Sequence, residues 1–157
     1  MHKVVIADTS VFILLQNTGR IDLLEKVYQK IVTTPEVSEE FSESLPEWVV
    51  IREVADKKYQ KSLETQVDAG EASVIALAKE SIDPLLLLDD LKGRKLAKKL
   101  NLKISGTLGV IHKAKQEGII PKVSPLLRSL IDHGFRISSG LLEAFLALND
   151  EDSFQEK

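Results

Sequence analysis

The residues in this sequence best suited to chemistry are carboxylates standing at the ends of apolar runs. Asp8 directly follows Val4-Val5-Ile6-Ala7, and the Asp89-Asp90 pair directly follows Leu85-Leu86-Leu87-Leu88. Such short apolar runs suit strands covered on both faces. An acid placed just after a strand of that kind emerges at its carboxyl end, in the crevice where open α/β sheets keep their ligands. For Asp8 the competing role is a turn or helix cap. For the pair a purely structural role is harder to sustain, because adjacent carboxylates repel and are seldom kept together without a cation.

Two further acids can join them. The segment from Pro35 carries Glu36, Glu39, Glu40 and Glu43 beside an apolar stripe of Val37, Phe41 and Leu45. At about 100° per residue, Glu40 lies nearest that stripe, whereas Glu39 and Glu43 point away from it. Glu36 suits the positive end of the helix. Glu71 precedes Val74, Ile75 and Ala78 at helical spacing and shares their sheet-facing side, where an unpaired acid is costly. Asp68-Ala69-Gly70-Glu71 also reads as a capping box, in which Glu71 would reach back to a backbone amide. Both readings of Glu71 remain open at this point.

Carboxylates from separate elements, converging without imidazole or thiolate, select a hard cation such as Mg²⁺ or Mn²⁺. Such an ion can polarise a phosphodiester and activate water for in-line attack. No GxxxxGK[ST] motif is present, and Asp8-Thr9-Ser10 lacks the second aspartate of a DxDxT phosphatase pattern. A phospho-receiver would need its acidic pair after the first strand, not late in the chain. His2, His112 and His133 lack metal-ligand spacing.

The elements that must position these acids alternate along the chain. Ile31-Val32-Thr33, Trp48 to Ile51 and Leu102-Lys103-Ile104 add β-branched runs to the two acid-bearing strands, making about five strands. Helical patterns cover Ile21 to Tyr28, Pro35 to Leu45, Val54 to Val67, Gly70 to Glu80, Leu91 to Leu100 and Thr107 to Glu117. This alternation implies a mainly parallel sheet wrapped by helices on both faces. Two more helices are expected, Leu126 to His133 and Gly140 to Leu148, the latter apolar enough to cap the core or pair with a second subunit. The polar tail from Asn149 is expected to fray.

A chain of 157 residues, 43% hydrophobic and without cysteine, is one domain's worth and needs no oxidising compartment. No apolar stretch has membrane-spanning length, and the N-terminal run is too short for a signal peptide, so a cytoplasmic protein without a membrane partner is expected. The net charge of −3 would not draw the protein onto nucleic acid by itself. From Lys92 to Lys122, however, nine basic residues face the single acid Glu117. That stretch is either a solvated helix face or a phosphate-tracking stripe, with Lys92, Arg94, Lys95, Lys98 and Lys99 at its centre. Ser105 and Thr107 flank a helix start whose amides could hold phosphate or simply be capped. Ser10 is placed to cap the next helix or orient Asp8. Aromatic residues make up only 5% of the chain, so an RNA partner would be held mainly through phosphates.

Val5 to Ser10, Thr34 to Phe41, Asp68 to Ala72 and Leu86 to Asp90 together resemble the ordered acidic motifs of the PIN-domain family. The likeness runs from Val4 to about Ile120. It is closest to the prokaryotic subgroup whose later part reads like Arg94, Ala97 and Ser105-Gly106-Thr107-Leu108-Gly109-Val110. The resemblance implies a three-layer α/β/α sandwich over residues 1–120, here with a helical extension at 121–150 and a frayed tail at 151–157. It implies a metal-dependent ribonuclease using Mg²⁺ or Mn²⁺, of the VapC-like kind often found as toxins paired with a small antitoxin; a homodimer is expected as well. By that likeness Asp8, Glu40, Glu71 and one of Asp89 and Asp90 are the catalytic and metal-binding acids. The alternative is a non-catalytic binding module that keeps the fold with an incomplete acidic site.

Overall fold

The structure, a computed structural model, describes His2 and residues 4–154. Five strands, β1 (Val4–Ala7), β2 (Ile31–Thr33), β3 (Val49–Ile51), β4 (Pro84–Leu87) and β5 (Lys103–Ser105), form one sheet in the order β3-β2-β1-β4-β5. Every neighbouring pair is parallel. Helices cover both faces, as crossover connections between parallel strands require. They are α1 (Thr9–Asn17), α2 (Asp22–Tyr28), α3 (Pro35–Glu40), α4 (Lys57–Leu63), α5 (Ala69–Lys79), α6 (Leu91–Lys99), α7 (Thr107–Gln116), α8 (Ser124–Asp132) and α9 (Ser139–Leu148).

The apolar strands sit where their composition sends them. Ile6, Ala7, Leu86 and Leu87 of the two central strands are fully buried, packed with Phe12, Leu15, Ile75 and Ile111 from helices. From β1 the chain winds outward through β2 to β3, then returns to lay β4 on the other side of β1 and continues to β5. The order therefore reverses between β1 and β4, and that switch point is where an open parallel sheet leaves a crevice. Register places Ala7 opposite Leu87, and the Asp8 amide donates to the Leu87 carbonyl at 3.0 Å. Asp8 and the Leu88-Asp89-Asp90 segment thus leave the sheet side by side.

The expected alternation and the parallel sheet are present, with differences in the helices. The contiguous apolar run Val11 to Leu15 hides the periodicity of α1, which is absent from the expected helices. The helix from Pro35 stops at Glu40 instead of Leu45, because Phe41 turns to extended backbone with φ −76° and ψ 94°. The helix expected over Val54 to Val67 shortens to Lys57–Leu63, started by the Asp56 side chain accepting from the Tyr59 amide.

Leu126, Leu127 and Leu130 of α8 and Phe145 and Leu146 of α9 are buried in the same core as the sheet. The tail does not fray at Asn149. The Glu151 carboxylate accepts from the Val123 amide at 2.8 Å and the Ser124 amide at 3.0 Å, and pairs with Lys115 Nζ at 2.8 Å. Arg128 lies over the Phe154 ring, 4.2 Å from its centroid. Residues 155–157 of the expected frayed tail lie outside the described residues.

Candidate active site

Asp8 stands at the N-cap position of α1, yet its side chain makes no capping bond. The residue is 4% exposed and its Oδ1 has no hydrogen-bond partner among the described residues. Burial pushes its pKa from 3.8 up to about 7, partly offset by the Thr9 amide and reinforced by Asp68, Glu40 and Asp89. A buried carboxylate left unpaired among other carboxylates is a poor structural choice.

Glu40 reaches the same crevice from the end of α3. Its Oε2 accepts from the Thr9 hydroxyl at 2.8 Å, so the residue after Asp8 holds it in place. The neighbours separated from it on the helical wheel are used elsewhere: Glu36 bonds Gln60, and Glu43 accepts from Gln16 Nε2 at 3.1 Å. The wheel stripe nevertheless counted Leu45, which lies beyond the helix. Glu40 is exposed, and it borders the crevice because it ends α3 beside Thr9.

At α5 the capping box is only half formed. Asp68 Oδ1 accepts from the Glu71 amide at 2.8 Å, but Glu71 returns no bond to a backbone amide among the described residues. Glu71 is 8% exposed with an unpartnered Oε2. Burial, then contact with the carboxyl groups of Asp68 and Asp90, pushes its pKa from 4.5 up to about 9. Asp68 is a further acid of this crevice that sequence reasoning did not include. Treated there only as a cap, it faces both Asp8 and Glu71; a cap uses one carboxylate oxygen and leaves the other for the site.

The aspartate pair divides its roles. Asp89 accepts from both the Thr107 amide at 2.9 Å and the Thr107 hydroxyl at 2.6 Å, which fixes its carboxylate at the start of α7. Asp90 caps α6 by accepting from the Gly93 amide at 3.1 Å while standing beside Glu71. Thr107, read as flanking either a phosphate site or a plain helix cap, is fully buried and directs both donors to Asp89. It orients an acid instead. Ser10 Oγ is buried and unpartnered among the described residues.

Lys92, Lys95, Lys98 and Lys99 lie exposed on the arc of α6 opposite Gly93, Leu96 and Ala97, which are buried. Arg94 turns back instead, and its Nη1 donates to the Leu88 carbonyl at 2.8 Å. It lines a cavity of about 500 Å³ together with Asp89, Ser105 and Arg136.

A family model for the PIN domain matches residues 4–151. This chain is a PIN domain. No curated protein is significantly similar to it in sequence. PIN domains are nuclease-type folds that bind nucleic acid. The match extends well past Ile120, so α8 and α9 belong to the family's span. No helix of the PIN domain is long and apolar enough to cross a membrane among the described residues.

The donor chemistry of the PIN domain's acids fits a divalent metal. All are oxygen donors, two of their buried carboxylate oxygens lack partners, as does Glu36 Oε1 outside the crevice, and burial raises the pKa of Asp8 to about 7 and of Glu71 to about 9. No three of the acids are already converged on one point as a ready-made site among the described residues.

Proposed function

We propose that this PIN domain is a metal-dependent endoribonuclease whose acidic site is formed by Asp8, Glu40, Asp68, Glu71, Asp89 and Asp90. The observation that carries the reading is the pair of buried carboxylate oxygens, Asp8 Oδ1 and Glu71 Oε2, left without partners at the switch point between β1 and β4. Mg²⁺ or Mn²⁺ bound by Asp8, Glu40 and Asp89, with Asp68, Glu71 and Asp90 beside them, would neutralise this charge and polarise the phosphodiester and its attacking water.

The remaining residues prepare that arrangement. Thr9 holds Glu40, Thr107 holds Asp89 through two bonds, and Asp68 fixes the start of α5 beneath Glu71. Fixed acids lose little freedom when the charge they oppose arrives. The exposed lysines of α6 supply a positive face next to Asp90, along which a phosphate backbone can run despite the negative net charge.

The test is cleavage of a single-stranded RNA in Mn²⁺ by the wild-type chain and by Asp8→Asn, with a DNA strand of the same sequence alongside. Wild-type cleavage of RNA, abolished in the folded variant, is the expected result. Unchanged cleavage in the variant overturns the assignment. Absence of Mn²⁺ binding at millimolar concentration would favour the non-catalytic module, the reading to which the unconverged acids lend support. The toxin role implied by the family resemblance predicts growth arrest on induced expression in a bacterial host, relieved by Asp8→Asn. The homodimer is tested by sedimentation, with exposed Leu148 of α9 as the candidate contact.

A further inference from the structure

The cavity beside Asp89 has a composition that the acidic site does not explain. Its volume is about 500 Å³, and its lining combines apolar Ile104, Leu108, Phe135 and Leu141 with two arginines, Arg94 and Arg136, and Ser105. Neither arginine forms an ion pair among the described residues. The one acid in the wall, Asp89, is held in place by Thr107, and the two arginines against it leave the lining positive.

Two arginines against a single carboxylate, among apolar side chains that include an aromatic ring, match a ligand that joins a phosphate to an apolar ring. Guanidinium groups bind phosphate oxygens in pairs, and single-stranded bases are held by stacking on aromatic faces. The size lies within the roughly 300–1,000 Å³ typical of small-ligand sites. Phe135 and Arg136 come from the turn after α8. Gly134, at φ +96°, reverses the chain there, and the Phe135 amide returns to the Leu130 carbonyl at 2.9 Å. Only glycine takes that backbone conformation without strain. The turn therefore delivers an aromatic ring and a cation to the edge of the acidic site from the far end of the sequence.

We propose that this cavity seats one nucleotide of the substrate strand, next to the phosphate being cleaved, with Arg94 and Arg136 on its phosphate and Phe135 against its base. The assignment rests on the nuclease reading for the word substrate, since the cavity and the acidic site share Asp89. It makes Phe135 and Arg136 specificity-determining residues contributed by the C-terminal extension.

The test has two arms using the full chain. In EDTA, with neither metal nor cleavage involved, the four ribonucleoside 5′-monophosphates, their nucleosides and inorganic phosphate are titrated by amide NMR. Expected are shifts at Gly106, Gly109 and Phe135 with the monophosphates, at least about ten-fold weaker binding of nucleoside or phosphate alone, and about ten-fold weakening in Arg136→Ala. In Mn²⁺, Arg136→Ala should raise KM for RNA about ten-fold with kcat nearly unchanged, and Phe135→Ala should flatten the base preference beside the cut. Shifts confined to other surfaces, or a KM and base preference unaltered in both variants, overturn the proposal while leaving the nuclease reading intact. Monophosphate binding in the cavity without any RNA cleavage overturns the nuclease reading and leaves a nucleotide site with a free nucleotide as its ligand.

Discussion

Replacing Asp8 with asparagine should make the metal-free protein more stable while removing its activity. Burial and the neighbouring acids raise the Asp8 pKa from 3.8 to about 7. At about 1.4 kcal/mol per pH unit, ionising it in the fold costs roughly 4 kcal/mol more than ionising it in the unfolded chain. The sign follows from the direction of the shift. Below the unfolded value both states hold the proton and no penalty exists. As pH rises from 4 the unfolded chain ionises first, so the folded state loses stability until the pH passes about 7, where the penalty is complete. Asparagine never incurs it.

Part of the gain is offset, because the substituted side chain leaves its own amide imperfectly partnered in a buried position, at a cost of about 1–3 kcal/mol. A net stabilisation of about 2 kcal/mol at pH 8 in EDTA is expected, worth roughly 4–8 °C in Tm for a domain of this size. The assay is thermal and urea unfolding of both proteins at several pH values between 4 and 8. Glu71, raised to about 9, tilts both curves alike, so their difference isolates Asp8. Mn²⁺ should then stabilise the wild type more than the variant, since only binding to the folded state adds stability. A variant less stable than wild type at pH 8 in EDTA, or a difference that does not grow with pH, would refute the reasoning.

Three other outcomes are expected. Thr107→Val removes the hydroxyl that holds Asp89 at 2.6 Å but keeps the amide, so RNA cleavage should fall about ten-fold or more with the melting curve little changed. Gly93→Ala would place a methyl 2.5 Å from Glu71 Oε2 and 2.9 Å from Leu88 Cδ2, and urea unfolding should show a loss of about 1–3 kcal/mol. Glu151→Gln weakens the anchor on Lys115 and the start of α8. Its carboxylate is held at about 2 chiefly by Lys115 and Ser124 against the effect of burial, so its contribution is complete above about 4.5 and fades as pH falls toward 2. The wild-type advantage over that variant, about 1–3 kcal/mol at pH 7, should vanish in the same interval.

Much of the fold was legible because its signals are local. Val4 to Ala7 and Leu85 to Leu88 are apolar without interruption, and only a strand covered on both faces uses such a run at that length. Asp8 and Asp89 could then be placed at one sheet end from topology alone. Glu71 could not be settled, because half a capping box is present: the Asp68 bond to its amide is real, and only the course of the Glu71 side chain shows that the return bond is not made. Asp68 was hidden by the same motif, since one carboxylate serves as cap and site residue together. The arginine cavity was invisible for a different reason. Arg136 lies 42 positions beyond Arg94 in the chain, and the Gly134 turn that joins them leaves no periodic trace.

Three glycines show how space was reserved for the acids. A Cβ at Gly70 would strike the Glu40 carboxylate, one at Gly93 would strike Glu71, and one at Gly106 would strike Asp89 and crowd Arg94. Each glycine lies at or near the start of a different helix, and each acid comes from a different element. The packing therefore brings a bare backbone turn against a carboxylate three times around one crevice. A structural core would fill the same gaps with methyl groups at a gain in stability. The missing atoms and the unpartnered oxygens thus argue toward the same use of the site. The C-terminal extension serves it as well: α7, which begins by holding Asp89 through Thr107, is clamped nearer its other end by Lys115 on Glu151 and His112 on Asn149. Loosening that clamp should disturb the acid at the opposite end of the helix, which makes cleavage by Glu151→Gln, measured at a temperature where the variant remains folded, a direct reading of how rigidly Asp89 must be held.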